Sequence, residues 1–347
     1  MIKKIEEGVT KVLITGGTGL LGGHLVERMA QQGHQVRALV RKTSNIEHLK
    51  TTGAEIVYGN VEDYDSLVAA AKGMDVVIHA AARVLPGWGE WRDFESCIVE
   101  GTENILNASI AAGVKKFVYV SSGTVVGKAA LGDKPADESA PYLEIKPTRE
   151  AFYDCAKAKA EQTVLDYHKQ GKISATVVRP CMIYGPRCRL LTDRIYTYVK
   201  IFPVLPGNAM AKTALVHVHD VADCIILAAT SEKAGGQIYN ISPEGVVTFR
   251  DFINSMAKAT GKPEFKIAIP LWLVFSSAAV IEMWGRLIRS EDAPFLTRSD
   301  IKFVRDGMYI DSTKARKELG WQPKISIEEG CRQYVEWRKA EKKKKRR

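Results

Sequence analysis

Apolar positions near the start of this 347-residue chain come in short runs separated by polar stretches with helical spacing. Val12–Ile14, Val36–Arg41, Ala54–Asn60, Met74–Ala82 and Lys116–Ser122 read as strands, and Ser174–Arg179 reads as a sixth, closed by Pro180. Between them, Leu25, Val26 and Met29 share one helical face, and Ser66–Lys72 reads as a second helix. Phe94–Ala112 reads as one long helix, carrying Ile98, Ile105, Leu106 and Ile110 and ended by Gly113 as a C-cap. A further helix carries Tyr153, Lys157, Ala160, Val164 and Tyr167. Buried strands alternating with helices at this spacing predict an α/β protein with a doubly wound parallel sheet. Ligands of such sheets lie at the carboxyl ends of the strands.

Past residue 180 the pattern loosens. Residues 128–150 already read as an irregular loop, long enough to be functional. Tyr184-Gly185-Pro186 reads as a turn, Arg194–Phe202 as a helix, Leu215–Asp220 as a strand and Val221–Thr230 as an apolar helix. Gln237–Ile241 reads as a strand that rejoins the main sheet, and Phe249–Thr260 as an amphipathic helix ended by Gly261. The division expected is a dinucleotide-binding domain over 1–180, a smaller, discontinuous substrate domain over 181–340, and a basic tail over 341–347. Residues 267–289 hold the most apolar stretch, with Trp272, Phe275 and Trp284. It reads as a core helix of the smaller domain, with Glu282, Arg286 and Arg289 on one face. The alternative is an interfacial helix lying on a membrane.

The formal net charge is +10, but the last six residues, Lys342 to Arg347, carry six positive charges. The remainder is only mildly basic, which does not point to nucleic acid; the tail reads as a solvated end or a contact for anionic lipid. The six cysteines form no C-x-x-C pair and no metal-ligand spacing. With no signal peptide recognised, a reducing cytoplasm is expected. Nothing reaches the roughly 18–20 uninterrupted apolar residues of a membrane span.

Two motifs carry chemistry. The first, Thr15-Gly16-Gly17-Thr18-Gly19-Leu20-Leu21-Gly22, joins the first strand to the first helix. Gly16 or Gly17 permits the tight turn, Gly19 lets backbone approach a pyrophosphate, and Gly22 lets the helix pack on the strand. The helix N-terminus offers free N–H groups to the anion. An acid that would bind a ribose 2′-hydroxyl is expected about 20 residues past the glycines. Here Arg41 and Lys42 stand there, with no acid before Glu47. Cations suit a 2′-phosphate, so NADP is preferred over NAD. Ala80, Ala81 and Ala82 let a cofactor approach the fourth strand, and His79 reads as structural. The second motif, Tyr153-Asp154-Cys155-Ala156-Lys157, sets a phenol and an ammonium at i and i+4 on one helix face. The fixed cation is expected to lower the tyrosine pKa. Ser122 is the candidate to hold the reacting oxygen, with Ser121 and Thr124 as competitors.

Together these residues resemble an extended short-chain dehydrogenase/reductase of the NAD-dependent epimerase/dehydratase kind. The resemblance extends through Val120-Ser-Ser-Gly-Thr-Val125, Val178-Arg-Pro-Cys-Met-Ile-Tyr-Gly-Pro186, His217-Val-His-Asp-Val-Ala222 and Lys314-Ala-Arg-Lys-Glu-Leu-Gly-Trp-Gln-Pro323. It implies a Rossmann-type sheet with a smaller substrate domain. The apolar 267–289 stretch and Pro294-Phe-Leu-Thr-Arg298 are similar to the 3β-hydroxysteroid dehydrogenase-like branch, whose members act on sterols, flavonols, long-chain keto acids and sugar derivatives. The resemblance implies Tyr153 as general acid/base, Lys157 on the nicotinamide ribose and Ser122 on the substrate oxygen. It places Gly16, Gly17, Thr18, Gly19, Leu20, Leu21, Gly22, Arg41, Asn60, Val61, Ala80, Ala81, Ala82, Tyr153, Lys157 and Pro180 around the cofactor. It also implies a homodimer through helices 94–112 and 151–169. The chain departs from the family pattern twice. The helix Asn of the Asn-Val-x-Gly-Thr element is Ile98, which leaves a proton relay through that helix without its polar group. The adenine-side Gly-Asp is Gly59-Asn60, which keeps an acceptor and loses the charge.

The function expected is an oxidoreductase that moves hydride between NADP or NAD and a secondary-alcohol carbon of a bulky, apolar small molecule. The alternatives are a nucleotide-sugar epimerase or dehydratase, and a non-catalytic cofactor sensor. No metal is expected.

Overall fold

A computed structural model describes residues 9–84, 88–131, 134–288 and 294–344. Seven parallel strands form the main sheet: β1 Lys11–Thr15, β2 Gln35–Val40, β3 Glu55–Tyr58, β4 Val76–His79, β5 Lys116–Val120, β6 Ser174–Pro180 and β7 Ile238–Ile241. Their order is β7-β6-β5-β4-β1-β2-β3. The order reverses between β1 and β4, which opens a crevice beside the glycine turn. Thr15 pairs with Leu39 on one side and His79 on the other, so these three strands end level. The strand expected at 237–241 joins β6 in parallel.

Alternation within β1 sends its side chains to opposite faces of the sheet. Val12 and Ile14 pack beneath α1 Leu20–Gln31, while Leu13 meets Leu67 of α2 Tyr64–Ala71. The 94–112 helix is not continuous. A short α3, Trp91–Phe94, is followed by a π-helical turn over Glu95–Glu100 and then α4, Gly101–Ala111. Crowding accompanies the change: a side chain at Gly101 would meet Val61 at 2.8 Å. α5, Phe152–Lys169, carries the Tyr-Lys pair on the same side of the sheet.

The remaining helices are α6 Thr192–Ile201, α7 Val218–Thr230, α8 Phe249–Ala259, α9 Leu271–Leu287, α10 Arg298–Asp306, α11 Thr313–Leu319 and α12 Ile327–Lys344. A second core forms among α6, α8 and α12, with Val199, Phe252 and Tyr334 buried in it. Capping boxes start α8 (Thr248, Asp251) and α10 (Thr297, Asp300). α7 begins at Val218, not Val221. The expected strand stops at His217, whose ring accepts the His219 N–H and caps the helix. α7 packs on the sheet rather than in the second core.

Two other expectations change. The loop expected from residue 128 begins later, because 3₁₀ turns run from Gly123 to Leu131. It is then tied down by a bridge between Ala136 and Ile310. α9 is not a core helix. Only Val274, Ala278, Glu282 and Gly285 are buried, and Trp272, Met283, Trp284 and Leu287 are exposed. Glu282 turns inward onto Arg298 at 2.9 Å, while Arg286 is exposed, so they do not form one polar face. Arg289 and tail residues 345–347 lie outside the described residues.

Candidate active site

The carboxyl ends of β1, β2, β4 and β5 converge on one crevice. Gly16 is the turn residue, with φ at +72°, and Gly17 is not. A side chain on Gly16 would strike the Ala81 nitrogen at 2.8 Å, so only glycine permits this approach to β4. At Gly22 an added carbon would lie 2.1 Å from the Gly16 carbonyl. At Gly19 it would meet only the Gly16 carbonyl oxygen, at 3.2 Å. Gly19 is also the N-cap of α1, and that helix has no side-chain cap and no acid in its first turn. Its free N–H groups and partial positive charge suit a pyrophosphate.

His79 supports this floor. Its Nδ1 lies 2.7 Å from the Thr15 hydroxyl, and its Nε2 lies 3.1 Å from the Thr102 hydroxyl. Thr102 donates to the Ile98 carbonyl, so it accepts from Nε2–H, and Nδ1 is left to accept from Thr15. Burial and the nearby Lys157 push His79 down to about 3, so the ring is neutral.

Arg41 follows β2 directly and is exposed. Among the described residues it has no ion-pair partner, whereas Glu47 is held by Lys50 at 2.5 Å. On the neighbouring strand end, the Asn60 amide donates to Glu62 at 3.3 Å. Val61 is buried, with its carbonyl fixed by Asn104 at 3.0 Å. Pro180 ends β6 opposite Ile241.

The catalytic candidates meet at the end of β5. Tyr153 hydrogen-bonds Ser122. Ser121, one residue earlier and on the opposite side of the strand, instead donates to Glu161 at 2.5 Å. Thr124 lies 2.9 Å from Ser122 Oγ and also hydrogen-bonds Asp154. Tyr153, Ser122, Thr124 and Asp154 thus lie together at the end of β5. Burial pushes Asp154 up to about 6, against the pull of its Thr124 bond.

Tyr153 does not behave as its spacing from Lys157 suggests. Burial first, then the Asp154 charge, raises its pKa well above the usual phenol value, and the Ser122 bond opposes them. Lys157 spends its ammonium on the Val120 carbonyl at 2.6 Å and lies 4.7 Å from the centre of the Tyr119 ring. Burial lowers Lys157 to about 8. Desolvation therefore outweighs the expected cation effect in the protein alone.

Glu161, Arg179 and Tyr142 form a group that the motifs do not reveal. Arg179 donates to Glu161 at 2.6 and 3.0 Å, and Tyr142 donates at 2.8 Å. Both ions are fully buried. Glu161 stands four residues past Lys157 on α5, and that i, i+4 continuation was the available signal.

Residues 12–242 match the model of the NAD dependent epimerase/dehydratase family. The chain belongs to this family. It is an NAD(P)-dependent oxidoreductase of the extended short-chain dehydrogenase/reductase superfamily. A 2-alkyl-3-oxoalkanoate reductase of Stenotrophomonas maltophilia is 30% identical over 93% of this chain and 97% of its own. A 4-hydroxy-2-methyl-3-oxo-4-farnesyl-3,4-dihydroquinoline-1-oxide ketoreductase of Stigmatella aurantiaca is 31% identical over 92% of this chain and 94% of its own. Among solved structures, gox2253 superposes with a TM-score of 0.76 at 28% identity, covering 96% of this chain and 98% of that one. The family's nicotinamide dinucleotide fits the crevice: an uncapped helix N-terminus faces it, and Gly19 leaves room for a phosphate.

Proposed function

We propose that this enzyme interconverts a ketone and a secondary alcohol on a bulky, apolar substrate, using NADP(H). The observation that carries the reading is the meeting of Tyr153, Ser122 and Lys157 at the end of β5, beside the glycine crevice. Gly16, Gly17, Thr18, Gly19, Leu20, Leu21 and Gly22 would hold the pyrophosphate, and Arg41 the 2′-phosphate. The bound nicotinamide supplies or accepts a hydride at the substrate carbon. Ser122 holds the substrate oxygen. Tyr153 Oη gives that oxygen a proton in reduction and takes it back in oxidation. Burial keeps the phenol protonated at neutral pH, which suits the reductive direction. Lys157 would meet the nicotinamide ribose. The names of the two reductase relatives support a ketone substrate with an apolar body.

Absorbance at 340 nm tests this with NADPH or NADH against 2-alkyl-3-oxo acids, hydroxysteroids and UDP-glucose. The expected result is consumption of NADPH in proportion to alcohol formed from an apolar ketone. Tyr153→Phe is expected to lower kcat by at least about 10²-fold while cofactor binding persists. Interconversion of UDP-sugars without net cofactor turnover would replace the reading with an epimerase. For the cofactor, calorimetric titration should show NADPH binding more tightly than NADH, and Arg41→Ala should remove the difference. Equal or tighter binding of NADH would refute the NADP assignment.

A further inference from the structure

α9 is amphipathic in the wrong sense for a helix at the edge of a water-soluble fold. Its one acid, Glu282, faces the protein, where it accepts from the Arg298 backbone and side chain at 2.6 and 2.9 Å. The strip that seats it is narrow and built of small or short residues, Val274, Ala278 and Gly285. The opposite arc carries the bulk of the helix. Trp272 is 67% exposed, Trp284 62% and Leu287 73%, with Leu273, Val280 and Met283 between them. At 100° per residue these positions cover about a third of the circumference. A helix of 17 residues is about 25 Å long. Among the described residues no helix is long and apolar enough to cross a membrane.

We propose that this outward face of α9 docks on the surface of a bilayer containing anionic lipid, with the helix axis lying in the membrane plane. Charge decides the occupant. Between Lys266 and Ile288 the charged side chains are Lys266, Glu282 and Arg286, and Glu282 is turned inward. The exposed ends of the apolar arc are therefore both basic. A second copy of the chain laid antiparallel would set Lys266 against Arg286, and laid parallel would set Arg286 against Arg286. Within residues 266–288 neither arrangement offers an outward acid to pair with them, whereas phosphate headgroups do. Tryptophans near both ends of an apolar face, flanked by cations, match the polarity gradient at a headgroup boundary. Exposed Ile201, Phe202 and Ile267 extend the apolar surface at the N-terminal end. They are next to it because Ala268–Ile269, just before α9, pairs with Leu205–Pro206.

The docked face would lie beside the active-site crevice. Gly285 packs against Trp88, in the loop that follows the end of β4, and the Arg286 guanidinium sits 5.7 Å from that indole ring. An apolar substrate could then leave the lipid beside this loop without crossing water.

The test is co-sedimentation of the full chain, without cofactor or substrate, with sucrose-loaded vesicles of phosphatidylcholine and phosphatidylglycerol at 7:3. A second arm uses pure phosphatidylcholine. Binding to the mixed vesicles is expected, with quenching of tryptophan fluorescence by brominated acyl chains. Trp284→Ser with Leu287→Glu should reduce partitioning at least tenfold, with an unchanged circular dichroism spectrum, because both positions are already exposed. A chain lacking residues 342–347 should still bind. No partitioning at low salt, wild-type partitioning by the double variant, or loss of binding on tail removal alone would each overturn the proposal. It would also fall if the double variant turned a sedimenting dimer into a monomer without changing vesicle binding. Redox activity does not enter the readout, so failure here leaves the ketone–alcohol reading untouched.

Discussion

A carboxylate largely shielded from water beside Tyr153 costs stability unless a cation offsets it, and among the described residues Asp154 is offset by the Thr124 hydroxyl and by no cation. Its pKa rises from 3.8 to about 6, so between those values the native protein binds more protons than the unfolded chain. Stability from this group therefore falls as pH rises through the window, and the full penalty is present at pH 7. Asp154→Asn is expected to stabilise the fold by about 1–3 kcal/mol at pH 7, with the gain fading toward pH 4. Urea unfolding at both pH values checks this, and an equal gain at both would contradict it. Glu161 is the opposite case, because its charge is matched. Removing it in Glu161→Ala strands Arg179 at 1% exposure, a loss of about 3–5 kcal/mol in the same assay. Asp154 cannot be recognised from spacing, and Glu161 only as the i, i+4 continuation from Lys157. Tyr153 and Lys157 announce themselves at i and i+4, whereas the links from Thr124 to Asp154 and from Ser121 to Glu161 cross between the end of β5 and α5. The neighbouring serines part for a simple reason: consecutive strand residues point to opposite faces.

At the scale of elements, glycines separate those needed for a turn from those needed for contact. Gly22→Ala would force a carbon to within 2.1 Å of the Gly16 carbonyl, so α1 must move off β1. A destabilisation of about 3 kcal/mol or more is expected, together with loss of the NADPH-induced rise in Tm. Gly33 has positive φ, unlike Gly22, but nothing within 4 Å of an added carbon. Gly33→Ala should cost only about 1 kcal/mol and keep the cofactor response. Differential scanning fluorimetry with and without NADPH separates the two. Strands are legible in sequence as short apolar runs buried on both faces, and α1 and α5 because each has one buried side and a regular period. α9 is not, because it is apolar on nearly every side. Such a helix reads as core, and only the packed structure shows that its small residues face inward and its large ones outward. The start of α7 misleads for a related reason: Val218 and Val221 suit a buried strand as well as a buried helix, and the cap that decides between them is a histidine.

Across the whole molecule, one sheet edge gathers parts from distant stretches. The glycine turn, Arg41, the three alanines and Ser122 lie between residues 16 and 122, yet level strand ends bring them together. That convergence follows from alternation and strand order, and it is why the cofactor side is largely readable from sequence. The side proposed for the substrate would rest on the second core and on loops, whose shape depends on tertiary contacts such as the bridge from Ala136 to Ile310. α4 and α5 pack side by side on one face of the sheet, joined by Tyr167 to Asn107 at 3.1 Å. If these helices pair with a second copy, analytical ultracentrifugation should give twice the 38.4 kDa chain mass. Replacing the exposed Ile110 by Glu should then halve it.

The π-helical turn at Glu95–Glu100 bears on how this chain could change length. A wide turn spends more residues per rotation than the α-helices on either side of it. Dropping one residue there lets the turn tighten into ordinary α-helix while the flanks keep their angular phase. A deletion in the first turn of α4 would instead swing Ile105 and Leu106 out of the core by about 100°. Loss of a residue between Phe94 and Gly101 is thus the one-residue shortening this helix is built to survive, at the expense of the bulge itself.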